Sequence, residues 1–349
     1  AGQTVTFPVR RGVVIGHVPH AHGGLFSYSG QERHFWCQTT EGLGNKNWIA
    51  EWMYMYAGTG RTYYEGIGID NVMMAANDNI AQGALPVTYT DEVASGSSDW
   101  FADEKRAKDL AKSICEGCRL AGCALIAGES PAIKYLIKPE PPVIAAPSLS
   151  GCIVGIIVPA SRIITGVKLR VGDKIIGVTS SGLHANGISL VLRRALSLSD
   201  KFLTRLPDGR TLGDHALIPT ASYTDLMEAL LNNGVEIHSV LPGTGDGVGK
   251  LAYDPRPFTY RIHTWVKDVP PLFLFMRELG VTIEDCLKTF NWGIGYYLFV
   301  PPGEVESVIK IGCATGYNLF EVGRVEDGDR CTIFEPEGEK GIILPPPGE

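Results

Sequence analysis

Hydrophobic and polar positions follow two different periods along this chain, and the switches between them mark its elements. Between Tyr64 and Gly83 the apolar residues Ile69, Val72, Met73, Ala76 and Ile80 recur at spacings of three and four. That pattern predicts an amphipathic helix with one buried face. Asp103 to Ala121 predicts a second helix, with Ala107, Leu110, Ala111, Ile114 and Cys118 inward. Shorter apolar runs, Arg33–Thr40, Leu85–Asp91, Cys123–Ala127 and Gly151–Val158, read as strands. The proline-rich stretch Lys138–Pro147 reads as loop, because each proline removes a donor and restricts its predecessor. Residues 1–35 show no sustained period.

Around Ser161 to Gly172 the chain changes character, and a domain boundary is expected there. Beyond it, Asp173–Val178, Val235–Val240, Gly293–Val300 and Asn318–Val325 read as strands. Ile188–Leu198, Tyr223–Asn232, Leu272–Leu279 and Val305–Ala314 read as helices. The tail from Pro345 is expected to be disordered. Two α+β halves of similar size result, residues 1–164 and 165–349, with no short-period repeat.

Composition narrows the class. The 349 residues are 44% hydrophobic and 20% charged, and the net charge of -7 comes from interspersed signs rather than a basic stripe. Nucleic acid is therefore not the expected partner. Apolar runs such as Ile153–Pro159 are too short to span a bilayer, and the first residues lack the order of a secretory signal. Eight cysteines in so long a chain fit thiols in a reducing compartment. The expectation is a soluble, cytoplasmic enzyme acting on a small molecule.

Four features could carry chemistry. On the first helix Asp70 and Asn77 fall almost on one line, and Asp78 lies about 80° round from it. Glu41 in a glycine-flanked loop, Asp91 at a strand end and Glu129 after another strand add hard oxygens of the kind that suit Mg²⁺ with nucleotide phosphates. The bland alternative, of equal weight, is a solvated helix face with turn carboxylates. Glycine loops at Glu41–Lys46 and Gly243–Lys250 could offer backbone N–H groups to an anion, although neither is a Walker A loop nor a dinucleotide fingerprint. Ser180–Gly187 contains Ser181, His184 and Asn186 at a turn before a helix; a Ser–His nucleophile lacks its G-x-S-x-G elbow. His17, His20 and His22 read as loop histidines rather than metal ligands, and Cys115 and Cys118 as small apolar groups on a helix.

The ordered set of motifs resembles one family. Gly68-Ile69-Asp70, Asn77-Asp78, Gln82-Gly83-Ala84-x-Pro86, Gly128-Glu129-Ser130, Ser180-Ser181-Gly-x-His184-x-Asn186-Gly187, Thr220 and Thr289-Phe290-Asn291-x-Gly293-x-Gly295 occur in the order seen in aminoimidazole ribonucleotide (AIR) synthetases. The resemblance runs from about Gly23 to Val325. It implies a two-domain α+β fold, with an N-terminal ATP-binding and dimerisation domain whose sheet pairs into a homodimeric, barrel-like arrangement. A C-terminal α/β sandwich domain would serve the substrate.

The implied reaction is ATP-dependent closure of formylglycinamidine ribonucleotide (FGAM) to AIR in purine biosynthesis. By position, Glu41, Gly42, Gly44, Lys46, Asp70, Asn77, Asp78 and Glu129 would hold ATP, with Mg²⁺ on Glu41, Asp70, Asp78 and Glu129. Asp70, Asp91 and His184 are the implied catalytic groups. Ser181, His184, Asn186, Gly243, Thr244, Gly245, Asp246, Asn291 and Gly293 would line the substrate side.

Three departures stand out. Glu41 replaces the usual Asp, Ala127-Gly128-Glu129-Ser130 replaces Gly-Gly-Glu-Thr, and Pro242-Gly243-Thr244-Gly245-Asp246 replaces a Thr-Gly-Gly-Gly loop. They leave open a related ATP-dependent enzyme with another amide-like acceptor, or a non-catalytic nucleotide-binding paralogue.

Overall fold

The computed structural model describes residues 11–16, 23–336 and 341–348; His17, His20 and His22 lie outside them. The chain divides into two compact units, Ala1–Ile163 and Ile164–Glu349.

In the first unit a hairpin of β1 (Val13–Gly16) and β2 (Leu25–Tyr28) occupies a region without sequence periodicity. Next come β3 (Phe35–Gly42), α1 (Lys46–Tyr56), α2 (Ile67–Ile80) and β4 (Leu85–Ala94). They are followed by α3 (Asp99–Ala102), α4 (Glu104–Ala121), β5 (Ala124–Glu129) and β6 (Ser148–Ile157). Four of the strands form a sheet in the order β3-β6-β4-β5, with only β4 and β5 parallel.

Helix α2 lies on one face of this sheet. Asn79 Nδ2 donates to Thr39 Oγ1 and to the Cys37 carbonyl, both at 3.2 Å, and the Tyr89 hydroxyl donates to the Asn71 carbonyl at 3.2 Å. Helix α4 crosses α2 at two glycines. A Cβ on Gly68 would stand 2.3 Å from the Ile114 amide nitrogen, and one on Gly117 would stand 2.9 Å from Val72 Cβ. The sequence requires glycine there so that the two backbones can approach. With sheet and α4 around it, α2 is enclosed even on its polar side: Asp70, Asn71, Asn77 and Asn79 are all buried. The solvated-face alternative is therefore corrected, because strand and helix groups rather than water surround those side chains.

The far face of the sheet is more open. Trp36, Gln38 and Thr40 alternate outward along β3, and Ser150, Cys152 and Val154 along β6. Glu51 of α1 is buried. It accepts from the Tyr64 hydroxyl at 2.7 Å and from Arg106 Nη1 at 2.8 Å, and the Trp100 indole N–H donates to it as well. Burial raises the Glu51 carboxyl above its ordinary range, and Arg106 and the three donors work against that rise.

The second unit is built on a seven-stranded sheet. In chain order its elements begin with β7 (Lys174–Thr179), α5 (Ile188–Leu196), α6 (Leu212–Ala216), α7 (Thr224–Asn232), β8 (Ser239–Pro242) and β9 (Phe258–Ile262). They continue with α8 (Pro271–Glu278), α9 (Ile283–Thr289), β10 (Ile294–Val300), α10 (Val305–Ala314), β11 (Leu319–Asp327), β12 (Cys331–Phe334) and β13 (Ile342–Leu344). The order is β13-β12-β9-β11-β7-β10-β8. Strand β10, flanked by β7 and the edge strand β8, is buried at every position, as a strand covered on both faces must be.

Two expectations are corrected in this unit. The strand expected from Val235 starts only at Ser239, because the Val235 amide is taken by the Leu230 carbonyl of α7 and ladder bonding to β10 begins with the His238 amide on the Phe299 carbonyl. Pro345–Gly348 is not loose: these residues line a small cavity with Asp246, Gly249 and Lys288.

Candidate functional site

In the first unit β3 ends on exposed Gly42, the loop after it exposes Gly44 and Asn45, and α1 begins at once with Lys46. Lys46 does not reach outward from that loop. Its ammonium lies 2.9 Å from Asp70 Oδ1, and both side chains are wholly buried. Burial lowers the Lys46 pKa while Asp70 opposes the shift. The two residues therefore tie the loop to α2, a positioning arrangement at the root of a glycine turn.

Cross-strand register brings two other carboxylates into one row. Glu41 on β3 and Asp91 on β4 both pair with Gly151 on β6, and Asp91 pairs in turn with Gly128 on β5. Residues paired in this way point to the same face, the face that α2 occupies. Gly128 has no room for a side chain, since its Cβ would stand 2.3 Å from Asp91 Oδ1. Burial pushes the Asp91 carboxyl up to about 6.

Asp91 opens onto a cavity of about 450 Å³ between α4 and the β4–β5 edge, lined by Trp100, Leu110, Ile114, Gly128 and Glu129 among others. It is an apolar chamber with acidic groups at one side. Cys115 also lines it, half-buried rather than fully inward as its helical position suggested, and burial and Asp91 raise its thiol. Glu129 is exposed and accepts from the Ser130 amide at 3.1 Å. On α2, Asn77 is buried and Asp78 half-buried.

Among the described residues no three His, Cys, Asp or Glu side chains group closely enough to hold a metal ion by themselves. Glu41, Asp70, Asp78 and Glu129 are thus not a closed protein cage. The donor set is nevertheless all hard oxygen. Mg²⁺ with a nucleotide needs only one or two carboxylates, the phosphates and water completing its octahedron. Oxygen donors of this kind suit magnesium bound in that shared manner, although Glu41 and Glu129 stand on opposite edge strands of the sheet and Asp70 is held by Lys46.

In the second unit Asn291 fastens the Ser180–Gly187 turn. Its Oδ1 accepts from Ser180 Oγ at 3.1 Å and from the Gly293 amide at 2.9 Å, and its Nδ2 donates to the Gly182 carbonyl at 2.7 Å. Ser181 Oγ donates to the Pro219 carbonyl at 2.6 Å. His184 is buried with a positive φ of 55°, and its ring packs over Gly295 beside Tyr223. The Ser181 amide points to His184 Nε2 at 3.4 Å, so the ring is held as a wall of the turn. Asn186 is exposed at the turn's tip. Gly243 packs under the Gly295 backbone, Thr244 accepts from Lys250 through its carbonyl at 2.6 Å, and Gly245 and Asp246 both take positive φ. Asp246 is exposed.

A second cavity, of about 410 Å³, includes Thr179, Ser180, Gly293, Trp265, Lys267 and Asp268 in its lining. Only Gly293 among its lining residues belonged to the expected substrate set. The signal that was present, an aromatic-and-charged Trp265-Val266-Lys267-Asp268 run in a loop before a double proline, has no periodicity to draw attention to it.

Comparisons with known proteins agree with this architecture. Residues 26–157 match the family model described as AIR synthase related protein, N-terminal domain. A phosphoribosylformylglycinamidine cyclo-ligase of Rippkaea orientalis is 30% identical, over 96% of this chain and 96% of the relative. One from Carboxydothermus hydrogenoformans is 33% identical over 85% of this chain and 82% of the relative. In fold, the chain is similar to a hydrogenase maturation protein solved in complex with ATP, with a TM-score of 0.60 and 14% identity over 91% of this chain and 86% of that one. Near-complete coverage at this level of identity, on a mixed α/β fold, establishes that the chain belongs to the phosphoribosylformylglycinamidine cyclo-ligase (AIR synthetase) family.

Proposed function

We propose that this protein is the ATP-dependent cyclo-ligase that converts FGAM to AIR, ADP and phosphate in purine biosynthesis. The observation that carries the reading within the molecule is the apolar chamber in the first unit, with Asp91 and Gly128-Glu129 at its side. The base of a nucleotide fits such a chamber, because its flat faces gain from burial while the nucleotide's phosphates reach polar groups at the edge.

In the proposed reaction the γ-phosphoryl group passes to the formamide oxygen of FGAM, and ADP leaves. An amidine nitrogen then attacks the activated formyl carbon, phosphate departs with the former formyl oxygen, and the nitrogen gives up a proton. Asp91 suits that proton, since a carboxyl titrating near 6 both accepts and releases it close to neutrality. Glu41, Asp78 and Glu129 are the proposed magnesium carboxylates, and the ion would neutralise phosphate charge. The wholly buried Lys46–Asp70 pair fixes the Gly42–Gly44 loop, in which the Leu43 amide donates to the Leu149 carbonyl and Gly44 is the position proposed to meet the phosphates. Asp70 joins the metal, Lys46 a phosphate, only if that pair opens. His184, Ser181, Asn186, Asn291, Gly293 and the Gly243–Asp246 loop serve the acceptor.

We further propose a cytoplasmic homodimer. The open sheet face carrying Trp36, Gln38, Val154 and Cys152 supports pairing with a second copy. Among the described residues no helix is long and apolar enough to cross a membrane.

The test is ADP release by the purified protein with Mg-ATP, with and without FGAM, while AIR is followed in parallel. FGAM-dependent ADP matched one-to-one by AIR is the expected result. ATP binding without FGAM-dependent turnover refutes the reading.

A further inference from the structure

The cavity at the Gly293 turn takes only Ser180 and Gly293 from the motifs that led to the family; Trp265, Lys267 and Asp268 belong to none of them. It is lined by Thr179 at the end of β7, by Ser180 just after it and by Phe320 of β11. Its wall is the 264–268 segment, and that segment is fixed in place. The Trp265 indole N–H donates to the Trp292 carbonyl at 2.9 Å, and the ring lies edge-on to Phe334 at 4.9 Å. Gly293, at φ 107°, lets Val266 come so close that a Cβ there would stand 2.8 Å from Val266 Cγ2. The segment therefore abuts the Asn291–Gly293 turn, and the cavity shares Ser180 and Gly293 with the acceptor side. Lys267 and Asp268 stand exposed in its lining, one cation and one carboxylate next to each other beside an aromatic wall.

That combination matches a phosphorylated sugar. An ammonium on a long stem is a point charge suited to a phosphate. A carboxylate accepts from vicinal ribose hydroxyls, and an indole covers the less polar face of a furanose. A volume of about 410 Å³ holds a small ligand of this size without room for a nucleoside triphosphate and acceptor together.

We infer that this cavity receives the phosphoribosyl end of the acceptor, with Lys267 on the phosphate and Asp268 on the ribose hydroxyls. The assignment rests on the cyclo-ligase reading for the identity of the acceptor, and on the cavity alone for its chemistry. It makes Lys267 a binding residue that supplies affinity without touching the reacting formamide.

Ribose 5-phosphate is the probe, titrated calorimetrically against the wild-type protein, Lys267→Gln and Lys267→Arg, with the KM for FGAM measured on the same three. Loss of one charge-assisted contact is expected to weaken ribose 5-phosphate binding and raise the FGAM KM by about tenfold or more in Lys267→Gln. The kcat and the KM for ATP stay within about twofold, and Lys267→Arg, which keeps the charge, recovers most of the affinity. Unchanged ribose 5-phosphate binding and FGAM KM in Lys267→Gln overturn the inference. So does equal binding of inorganic phosphate and ribose 5-phosphate, which removes the sugar from the site. Lys267-dependent binding of ribose 5-phosphate by a protein that makes no AIR leaves the subsite standing and sinks the cyclo-ligase reading instead.

Discussion

Replacing Asp91 with Asn should make the protein more stable and less active at once. Burial raises the Asp91 carboxyl from 3.8 to about 6, so the folded state holds its proton where the unfolded chain has released it. Between those values the folded state binds more protons, and stability falls as pH rises through the window. The shift of about two units corresponds to about 3 kcal/mol of destabilisation, fully present above the folded pKa and absent well below 3.8. Asn keeps the shape and removes the charge. Relative to wild type, the variant should gain up to about 3 kcal/mol at about pH 7.5 and roughly half of that at about pH 5.

Chemical denaturation of both proteins at the two pH values measures the gap. Steady-state AIR formation should meanwhile fall about 100-fold or more, because a positioned proton acceptor contributes on that order. A variant no more stable than wild type at the higher pH, or a gap that fails to widen with pH, refutes the claim that Asp91 is held in a desolvated position.

Two further expectations follow from the packing. Arg106→Met leaves buried Glu51 without its cation, and should cost about 3–5 kcal/mol in thermal or urea unfolding, with part of the loss recovered by adding Glu51→Gln. Asn291→Ala removes three hydrogen bonds that join the Ser180–Gly182 turn to Gly293; the FGAM KM should rise, and hydrogen exchange at the Gly293 amide should quicken, while the ATP KM holds.

What the sequence revealed and what it withheld divide along physical lines. Helix α2 was legible because its apolar spacing is a local property, and so were α4, α7, α10 and the buried strand β10. Helix α1 was not, since Lys46 through Met53 is buried without interruption and offers no stripe for a period to reveal. The enclosure of Asp70 and Asn77 was equally hidden, because it depends on strands and a helix distant in sequence. Asp91 was legible only as a carboxylate at a strand end, and Glu129 also through its motif; strand register is what brings Asp91 over Gly128 and into line with Glu41. Lys267 was passed over for the opposite reason: a loop residue carries no pattern, and its cavity exists only once β7, β11 and the Gly293 turn have come together.

The shared row of Glu41, Gly151, Asp91 and Gly128 also bears on folding fidelity. Side chains alternate along a strand, so a slip of β3 by one residue against β6 would send Glu41 to the opposite face while leaving the number of ladder bonds almost intact. Such a molecule would be compact, with Glu41 taken off the face that carries Asp91. Asn79 of α2 favours the native alignment, because its amide donates to Thr39 Oγ1 and the Cys37 carbonyl of β3, and a one-residue slip would turn the Thr39 side chain away from α2. Spectroscopic recovery after refolding and recovery of specific activity are therefore separate quantities for this protein, because only the second reads the β3–β6 register.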